Sequence, residues 1–95
     1  MSRAREFLKL FEAKSLEDTV DNLLNDKGFN KVVPSMIDAA KQALVVAKTS
    51  KNIAMEKFNE LALDFLDAIK SQDRDEAISS AKALVKAGHG EAFGL

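Results

Sequence analysis

Apolar residues recur every three to four positions between Ser50 and Ala87, which predicts two helices joined at Ser71 and Gln72. At about 100° per residue, the apolar residues of the first helix fall within an arc of about 160°. They are Ala54, Met55, Phe58, Leu61, Ala62, Phe65, Leu66, Ala68 and Ile69. The stripe of the second helix is narrower and consists of Ala77, Ile78, Ala81, Leu84 and Val85. Because only about two residues connect them, we expect the helices to pack antiparallel.

The second helix of this pair has recognisable ends. Asp73 is a typical N-cap, and Glu76 is placed to reach back to the capping residue's amide. Gly88 supplies a left-handed stop.

The N-terminal third predicts two shorter helices. Residues 3–13 form an amphipathic pattern whose apolar face is Ala4, Phe7, Leu8, Leu10 and Phe11. A second helix is expected to start at Ser15 and to turn four apolar residues inward, namely Leu16, Val20, Leu23 and Leu24. We expect Gly28 to end it, with Phe29 packing on Leu24 in a Schellman cap.

The middle of the chain predicts the most enclosed helix, from Pro34 to Lys48. Pro34 suits a first helical turn, and Val45 and Val46 point away from the main apolar stripe. Whether this helix stops at Thr49–Ser50 or runs on into the next is open, because the apolar spacing continues through it. The polar run 48–52 favours a break, with Ser50 as the cap.

These elements predict an all-α fold: one domain, residues 1–95, formed by a bundle of four or five helices with a C-terminal antiparallel hairpin. Residues 88–95 are expected to be a flexible tail, because they contain too much glycine to hold a helix. Phe93 and Leu95 are nevertheless suited to anchor that tail.

Charge and composition narrow the class of protein. Fourteen basic and fifteen acidic side chains give a net charge of -1, which disfavours a general nucleic-acid binder. The chain has no cysteine, which suits a reducing compartment, and neither a membrane span nor a secretory signal is evident. We therefore expect a cytoplasmic protein without membrane partners.

Candidate chemistry is sparse. Glu60, Asp64 and Asp67 share one helical face, but they lie away from the core and have no histidine beside them. A solvated acidic face is the favoured interpretation. His89 is the only histidine, and we expect it to be exposed and inert. No nucleophile elbow, phosphate loop or dinucleotide fingerprint occurs, so we expect neither an enzyme nor a bound cofactor or metal.

Two surfaces are candidates for binding. Val46, Ile53 and Leu63 fall off the core arc and predict a second apolar surface for a protein partner or for self-association. Lys41, Lys48 and Lys51 predict a local basic patch able to contact phosphate, which keeps a nucleic-acid-binding accessory protein as the alternative. The identity of the partner and the oligomeric state are left open.

The first thirteen residues, MSRAREFLKLFEA, resemble the capsid-targeting peptides of internal head and prohead core proteins of large contractile-tailed phages. Glu6-Phe7-Leu8 corresponds to the core of that pattern, and Leu10-Phe11-Glu12 before Ala13 to its cleavage site. The resemblance implies cleavage between Glu12 and Ala13, a head-associated function without enzymatic activity, and residence in the host cytoplasm or the virion interior. An ordinary first helix is the competing interpretation of residues 1–12.

Overall fold

The computed structural model describes residues 16–95, and these form an all-α bundle of four α-helices without a strand. Helix α1 covers residues 16–25, α2 Lys27–Thr49, α3 Ile53–Lys70 and α4 Arg74–Lys86, and a 3-10 helix follows at Gly90–Phe93. The all-α prediction is confirmed. The predicted helix at 3–13 and the cleavage site at Glu12 and Ala13 lie outside the described residues.

The junction of α1 and α2 differs from the prediction. The carboxylate of Asp26 caps α2 by accepting a 3.0 Å hydrogen bond from the Phe29 amide, so Gly28 lies in the first turn of α2 and does not end α1. The carbonyl groups at the end of α1 are bound by Asn30 Nδ2, which donates to Leu23, Leu24 and Asp26 at 2.7–3.1 Å. Since a side chain from the next helix satisfies these carbonyls, no left-handed glycine is needed there.

Pro34 lies inside α2, and its predicted position in a first helical turn is wrong. A proline removes the hydrogen bond to the carbonyl four residues earlier, here that of Asn30. The helix continues through this defect because its neighbours Val33 and Ile37 are both buried in the core, at 1% and 5% exposure. Burial therefore outweighs a local helix-breaking signal.

The break between α2 and α3 is confirmed, but the capping residue is Asn52 and not Ser50. Ser50 ends α2, Lys51 takes a left-handed backbone with φ 58°, and the Asn52 amide donates to Ala47 O at 2.8 Å. The same Asn52 then starts α3, because its side chain accepts from the Met55 amide at 3.2 Å. One residue thus closes one helix and opens the next.

The turn between α3 and α4 repeats this geometry. Gln72 has φ 57°, the Asp73 amide donates to Ala68 O at 2.9 Å, and Asp73 Oδ1 accepts from the Glu76 amide at 3.2 Å. The predicted N-cap at Asp73 is confirmed. Glu76 does not complete a capping box, because the Asp73 amide that it would bind is already bonded to Ala68.

The core lies around α3, which packs against both α2 and α4. The expectation that the Pro34–Lys48 helix is the most enclosed one is wrong, since α3 has six buried residues and α2 has four. The core cluster includes residues from all four helices: Val20, Leu24, Val33, Ile37, Phe65, Leu66, Ala68, Ile69, Ala77, Ile78, Ala81 and Leu84. The inward-facing residues predicted for α1 are confirmed, because Val20 and Leu24 belong to this cluster and Leu16 and Leu23 pack against it.

The C-terminal segment, predicted to be a flexible tail, folds back on the bundle. Gly88 has φ 81° and ends α4 as predicted. The ring of Phe93 lies 5.1 Å from that of Phe65, centroid to centroid, and Leu95 also packs against the core. The predicted anchoring by these two residues is confirmed. Gly90 is buried, and a Cβ there would lie 2.8 Å from a Val85 methyl carbon.

Candidate protein-docking groove

An apolar groove of about 330 Å³ runs between α2 and α3. It is lined by residues of α2, by Phe58 and Ala62 from α3, and by Phe93 from the C-terminal 3-10 helix. Within it, Ala39 is exposed and Phe58 half-buried, so apolar surface remains open to water. A concave apolar surface of this kind is the usual form of a site that accepts an apolar partner.

The α2 wall belongs to a longer apolar stripe, defined here as Val32, Met36, Ala39, Ala43 and Val46. These residues are separated by steps of four, three, four and three positions. The two ends remain open to solvent, with Val32 47% and Val46 60% exposed. This alternating spacing is the pattern by which one helix packs along another. The stripe is therefore a helix-packing surface with no helix packed on its exposed ends within the described chain.

The sizes of the side chains determine the shape of the groove. Ala39 and Ala43 are small and form a depression between the larger side chains of Met36, Phe58 and Phe93. Small residues at a helix contact let the partner helix approach closely, and large partner side chains fill the space above them. The groove is thus suited to bulky apolar side chains presented by another helix.

One polar side chain, Asn59, is part of the lining. It is 5% exposed although the sequence places it on the polar side of its helix, and its Nδ2 donates to Met55 O at 2.8 Å. That bond is internal to α3, so the amide is held in position. A fixed polar group in an apolar site favours occupants that present a matching polar atom.

Aromatic contacts hold the C-terminal wall of the groove. Besides the Phe93–Phe65 contact, the ring of His89 lies 5.0 Å from that of Phe58 at an interplanar angle of 66°, an edge-to-face arrangement. His89 is half-buried, so the expectation of an exposed side chain is wrong. The fold uses its ring to pack the end of α4 against α3.

The predicted apolar interface separates into two parts. Val46 and Ile53 are exposed as expected, at 60% and 76%, whereas Leu63 is half-buried and packs against the core cluster. Only Val46 belongs to the stripe. Sequence reasoning missed Ala39 and Ala43 because it looked for large residues away from the core face; the four-three spacing from Val32 to Val46 is the signal that identifies them.

The sequence counts Met55 and Val85 among the core-facing residues, but they are 42% and 45% exposed. Met55 lies in the first turn of α3 and Val85 in the last turn of α4, so each projects beyond the packed middle of the bundle. They enlarge the exposed apolar surface without lining the groove.

The predicted basic patch lies elsewhere. Lys41, Lys48 and Lys51 are all exposed, but none lines the groove. Lys41 is two residues from both Ala39 and Ala43, which places it about 160° around the helix from them. Lys41 and the groove therefore face different directions.

Acidic residues line a second, polar groove of about 490 Å³ between α3 and α4. Asp64 and Asp67 contribute to it with Asp73 and Glu76, whereas Glu60 does not. Asp73 is occupied as the cap of α4. Among residues 16–95, no group of three histidine, cysteine or acidic residues is arranged to hold a metal ion.

The one ion pair in the described chain joins α4 to α1. Arg74 Nε lies 2.7 Å from Asp21 Oδ1, and this hydrogen bond, together with the charge of Asp21, raises the pKa of Arg74 above its ordinary value. Both side chains are substantially exposed, so the pair orients α1 more than it stabilises the fold.

Comparison with known proteins yields no relative. No family model matches the chain, and neither the curated proteins nor the solved structures contain a significant match. Of the helices described between residues 16 and 95, none combines the length and the apolar character needed to cross a membrane.

Proposed function

We propose that this protein is a non-enzymatic interaction or assembly module that receives an amphipathic helix of a protein partner in the groove. The observation that carries the proposal is the stripe from Val32 to Val46, whose four-three spacing matches the packing period of two helices. Its end residues Val32 and Val46 are 47% and 60% exposed, so packing in the internal core does not account for them.

The energetics support a helix as occupant. Fully burying a Val or Met side chain contributes roughly 1.5–3 kcal/mol, and Val32, Met36 and Val46 each have exposed surface left to bury. A helix seated over Ala39 and Ala43 covers all three at once, because they lie along one line of α2. Asn59 adds a fixed polar group inside the same site.

The specific version of the proposal is a phage head or prohead protein. It rests on the resemblance of residues 1–13 to capsid-targeting peptides, with Glu6-Phe7-Leu8 and the site before Ala13. In that setting the groove provides the contact to another head or scaffold component.

The test measures, by calorimetry, the binding of this protein to the purified products of its neighbouring genes. Ala39→Arg places a long charged side chain in the groove and is expected to weaken binding at least tenfold. Lys41→Ala is the matched control, two residues away on the opposite flank of α2, and should leave binding unchanged. Equal affinities for the wild type and Ala39→Arg would contradict the proposal.

The alternative function is that of a nucleic-acid-binding accessory protein. It is supported by the exposure of Lys41, Lys48 and Lys51, each of which presents a free cationic end to solvent. Phosphate contacts impose a steep dependence on salt that apolar docking does not, so a salt series separates the two functions.

A further inference from the structure

The exposed apolar residues of the described chain are concentrated at one end of the bundle. Four of its six exposed large hydrophobic side chains lie between positions 45 and 55: Val45 at 64%, Val46 at 60%, Ile53 at 76% and Met55 at 42% exposure. We call residues 45–57 the tip, because they form the last turn of α2, the connecting turn and the first turn of α3. Single exposed apolar residues are ordinary, whereas a group of them marks a surface that binds a partner.

The tip projects beyond α4. The ring of His89, which follows α4, lies 5.0 Å from the ring of Phe58, so α4 ends near the level of Phe58. The chain then turns back along α3, because Phe93 contacts Phe65. Five positions separate Ile53 from Phe58, so the tip extends about 7 Å past this level at the helical rise of about 1.5 Å per residue. The exposed apolar side chains are therefore carried on a protruding end of the molecule.

The tip is basic, although the chain as a whole is not. It contains Lys48, Lys51 and Lys57, which are all exposed, and a single acidic residue, Glu56, which is half-buried. The tip thus has a net charge of +2, whereas the whole chain has a net charge of -1. None of the three lysines forms an ion pair within the part of the chain that the structure describes. Their charges are available to an anionic partner.

We infer that the tip binds an anionic lipid surface, with its aliphatic side chains between the headgroups and its lysines on the phosphates. A lipid interface accepts apolar side chains to a depth of about 5–10 Å, which matches the projection of about 7 Å. Peptide segments are usually received in grooves or along sheet edges, so a projecting end favours lipid over a protein segment. The contact is peripheral, and the lack of a spanning segment in the sequence does not bear on it.

The two components of the tip act together. Each lysine near an anionic membrane surface strengthens binding about fivefold, so the three contribute about a hundredfold. The aliphatic side chains add the hydrophobic contact that charge alone does not provide. Binding should therefore be reversible, should require anionic lipid, and should weaken as the salt concentration rises.

The first experiment measures how the full-length protein partitions onto vesicles, by sedimentation. Wild type is expected to bind vesicles of equal parts phosphatidylglycerol and phosphatidylcholine, and not vesicles of phosphatidylcholine alone. Replacement of the three tip lysines by glutamine should lower the partition coefficient about a hundredfold. Circular dichroism checks that the variants are folded.

The matched control replaces three lysines at the other end of the bundle by glutamine: Lys27, Lys31 and Lys70. All three are exposed, and the hydrogen bond from Gln72 to Asn30 places the α3–α4 turn beside the start of α2. The length of α3 separates this end from the tip by about 25 Å, well beyond the screening length of about 10 Å at 0.1 M salt. The control should change the partition coefficient less than about threefold.

A second experiment tests whether the apolar part of the tip enters the lipid. The chain has no tryptophan, so a single introduced one reports on its own surroundings. The emission of Ile53→Trp should shift to shorter wavelengths when the mixed vesicles are added. Val32→Trp is the matched control at the far end of α2, where the native side chain is 47% exposed, and it should show no shift.

Three outcomes overturn the inference. The first is a wild type that does not bind the mixed vesicles. The second is an equal loss of binding in the two triple-lysine variants, because total charge would then account for it. The third is an equal emission shift at positions 32 and 53. Binding of polyglutamate that the tip variants weaken, without vesicle binding, would assign the tip to an acidic protein partner.

These outcomes are independent of the proposed function. Ile53 and the tip lysines do not line the groove, and Val46, which belongs to both surfaces, is unchanged in every variant. A failure to bind vesicles leaves the Ala39→Arg test of the groove intact. Equal partner affinities in that test would likewise leave lipid binding by the tip intact.

Discussion

Gln72 Nε2 donates a 3.0 Å hydrogen bond to Asn30 Oδ1, a residue 42 positions away in sequence. Asn30 at the same time binds the last carbonyl groups of α1, so one side chain links the end of α1 to the turn between α3 and α4. The amide of Asn30 is the point at which two junctions of the bundle are fixed to each other.

We predict that Asn30→Ala destabilises the fold more than Gln72→Ala. Loss of Asn30 leaves the Leu24 carbonyl without its side-chain donor and the Leu23 carbonyl with only the Asp26 amide, at a cost of about 2 kcal/mol. Loss of Gln72 removes an exposed bond to Asn30 and a partly buried bond to Ile69 O, at a cost of about 1 kcal/mol. Urea denaturation measures both, and a double-mutant cycle isolates their coupling. Equal losses for the two variants would argue against the capping role of Asn30.

Phe65 is predicted to be a major core residue. It is fully buried, and its ring also supports Phe93, so Phe65→Ala should lower the free energy of unfolding by about 3–5 kcal/mol. Val45→Ala, at a position 64% exposed, is the control and should change stability by less than about 0.5 kcal/mol. A loss below about 1 kcal/mol for Phe65→Ala would contradict the packing described here.

The two left-handed turn residues should respond differently to glycine. Lys51→Gly relieves about 1–2 kcal/mol of backbone strain, offset in part by the larger entropy of glycine in the unfolded chain, so a net gain of about 0.5–1 kcal/mol is expected. Gln72→Gly relieves the same strain but loses the hydrogen bonds of Gln72 to Asn30 and Ile69. It should therefore show no gain. Thermal melting of the two variants provides the comparison, and a larger gain at Gln72 would be inconsistent with a stabilising role for its side chain.

Removal of residues 1–12 is predicted to weaken the fold without abolishing it. The described core cluster already connects all four helices, so a cooperative transition should persist. If the apolar face predicted for residues 3–13 is partly buried, loss of residues 1–12 should lower stability by about 2–4 kcal/mol, given roughly 1.5–3 kcal/mol for each large side chain when fully buried. Thermal melting of residues 13–95 measures this. An unchanged midpoint is the result expected of a dispensable leader.

If the basic patch binds nucleic acid, the affinity should depend steeply on the salt concentration. Each phosphate neutralised contributes about 0.9 to the slope of log affinity against log salt, so loss of three contacts changes that slope by about 3. Under the proposed function we expect DNA binding to be weak and replacement of Lys41, Lys48 and Lys51 by alanine to leave partner binding intact. Tight DNA binding with a steep slope that the triple variant removes would establish the alternative.

The helical hairpin could be predicted from sequence because its signals are local. The apolar period, the cap at Asp73 and the stop at Gly88 all act within a few residues of the positions they define. The junction near Gly28 could not be predicted in the same way. Its carbonyl groups are bound by Asn30, a side chain of the following helix, and Pro34 is tolerated because flanking residues are buried.

The groove was only partly foreseeable. The sequence identifies Val46, at the end of the stripe, as an exposed apolar residue, but it does not identify the groove residues Ala39 and Ala43, because alanine on a helix is compatible with either a surface or a contact. Its α3 and C-terminal walls depend on tertiary packing: Phe93 takes its place through contact with Phe65, which sequence spacing does not specify.

The shared capping residue Asn52 limits how the groove can change shape. Because Asn52 both closes α2 and opens α3, the two walls are joined at that end by a turn of only three residues, 50–52, whose last residue is hydrogen-bonded to both helices. The wall formed by Ala92 and Phe93 is tied to neither helix by such a turn and is held by side-chain packing, so the groove widens more readily at that wall. The C-terminal segment is therefore the adjustable side of the groove, and the breadth of the helices it admits is set by how far Phe93 yields.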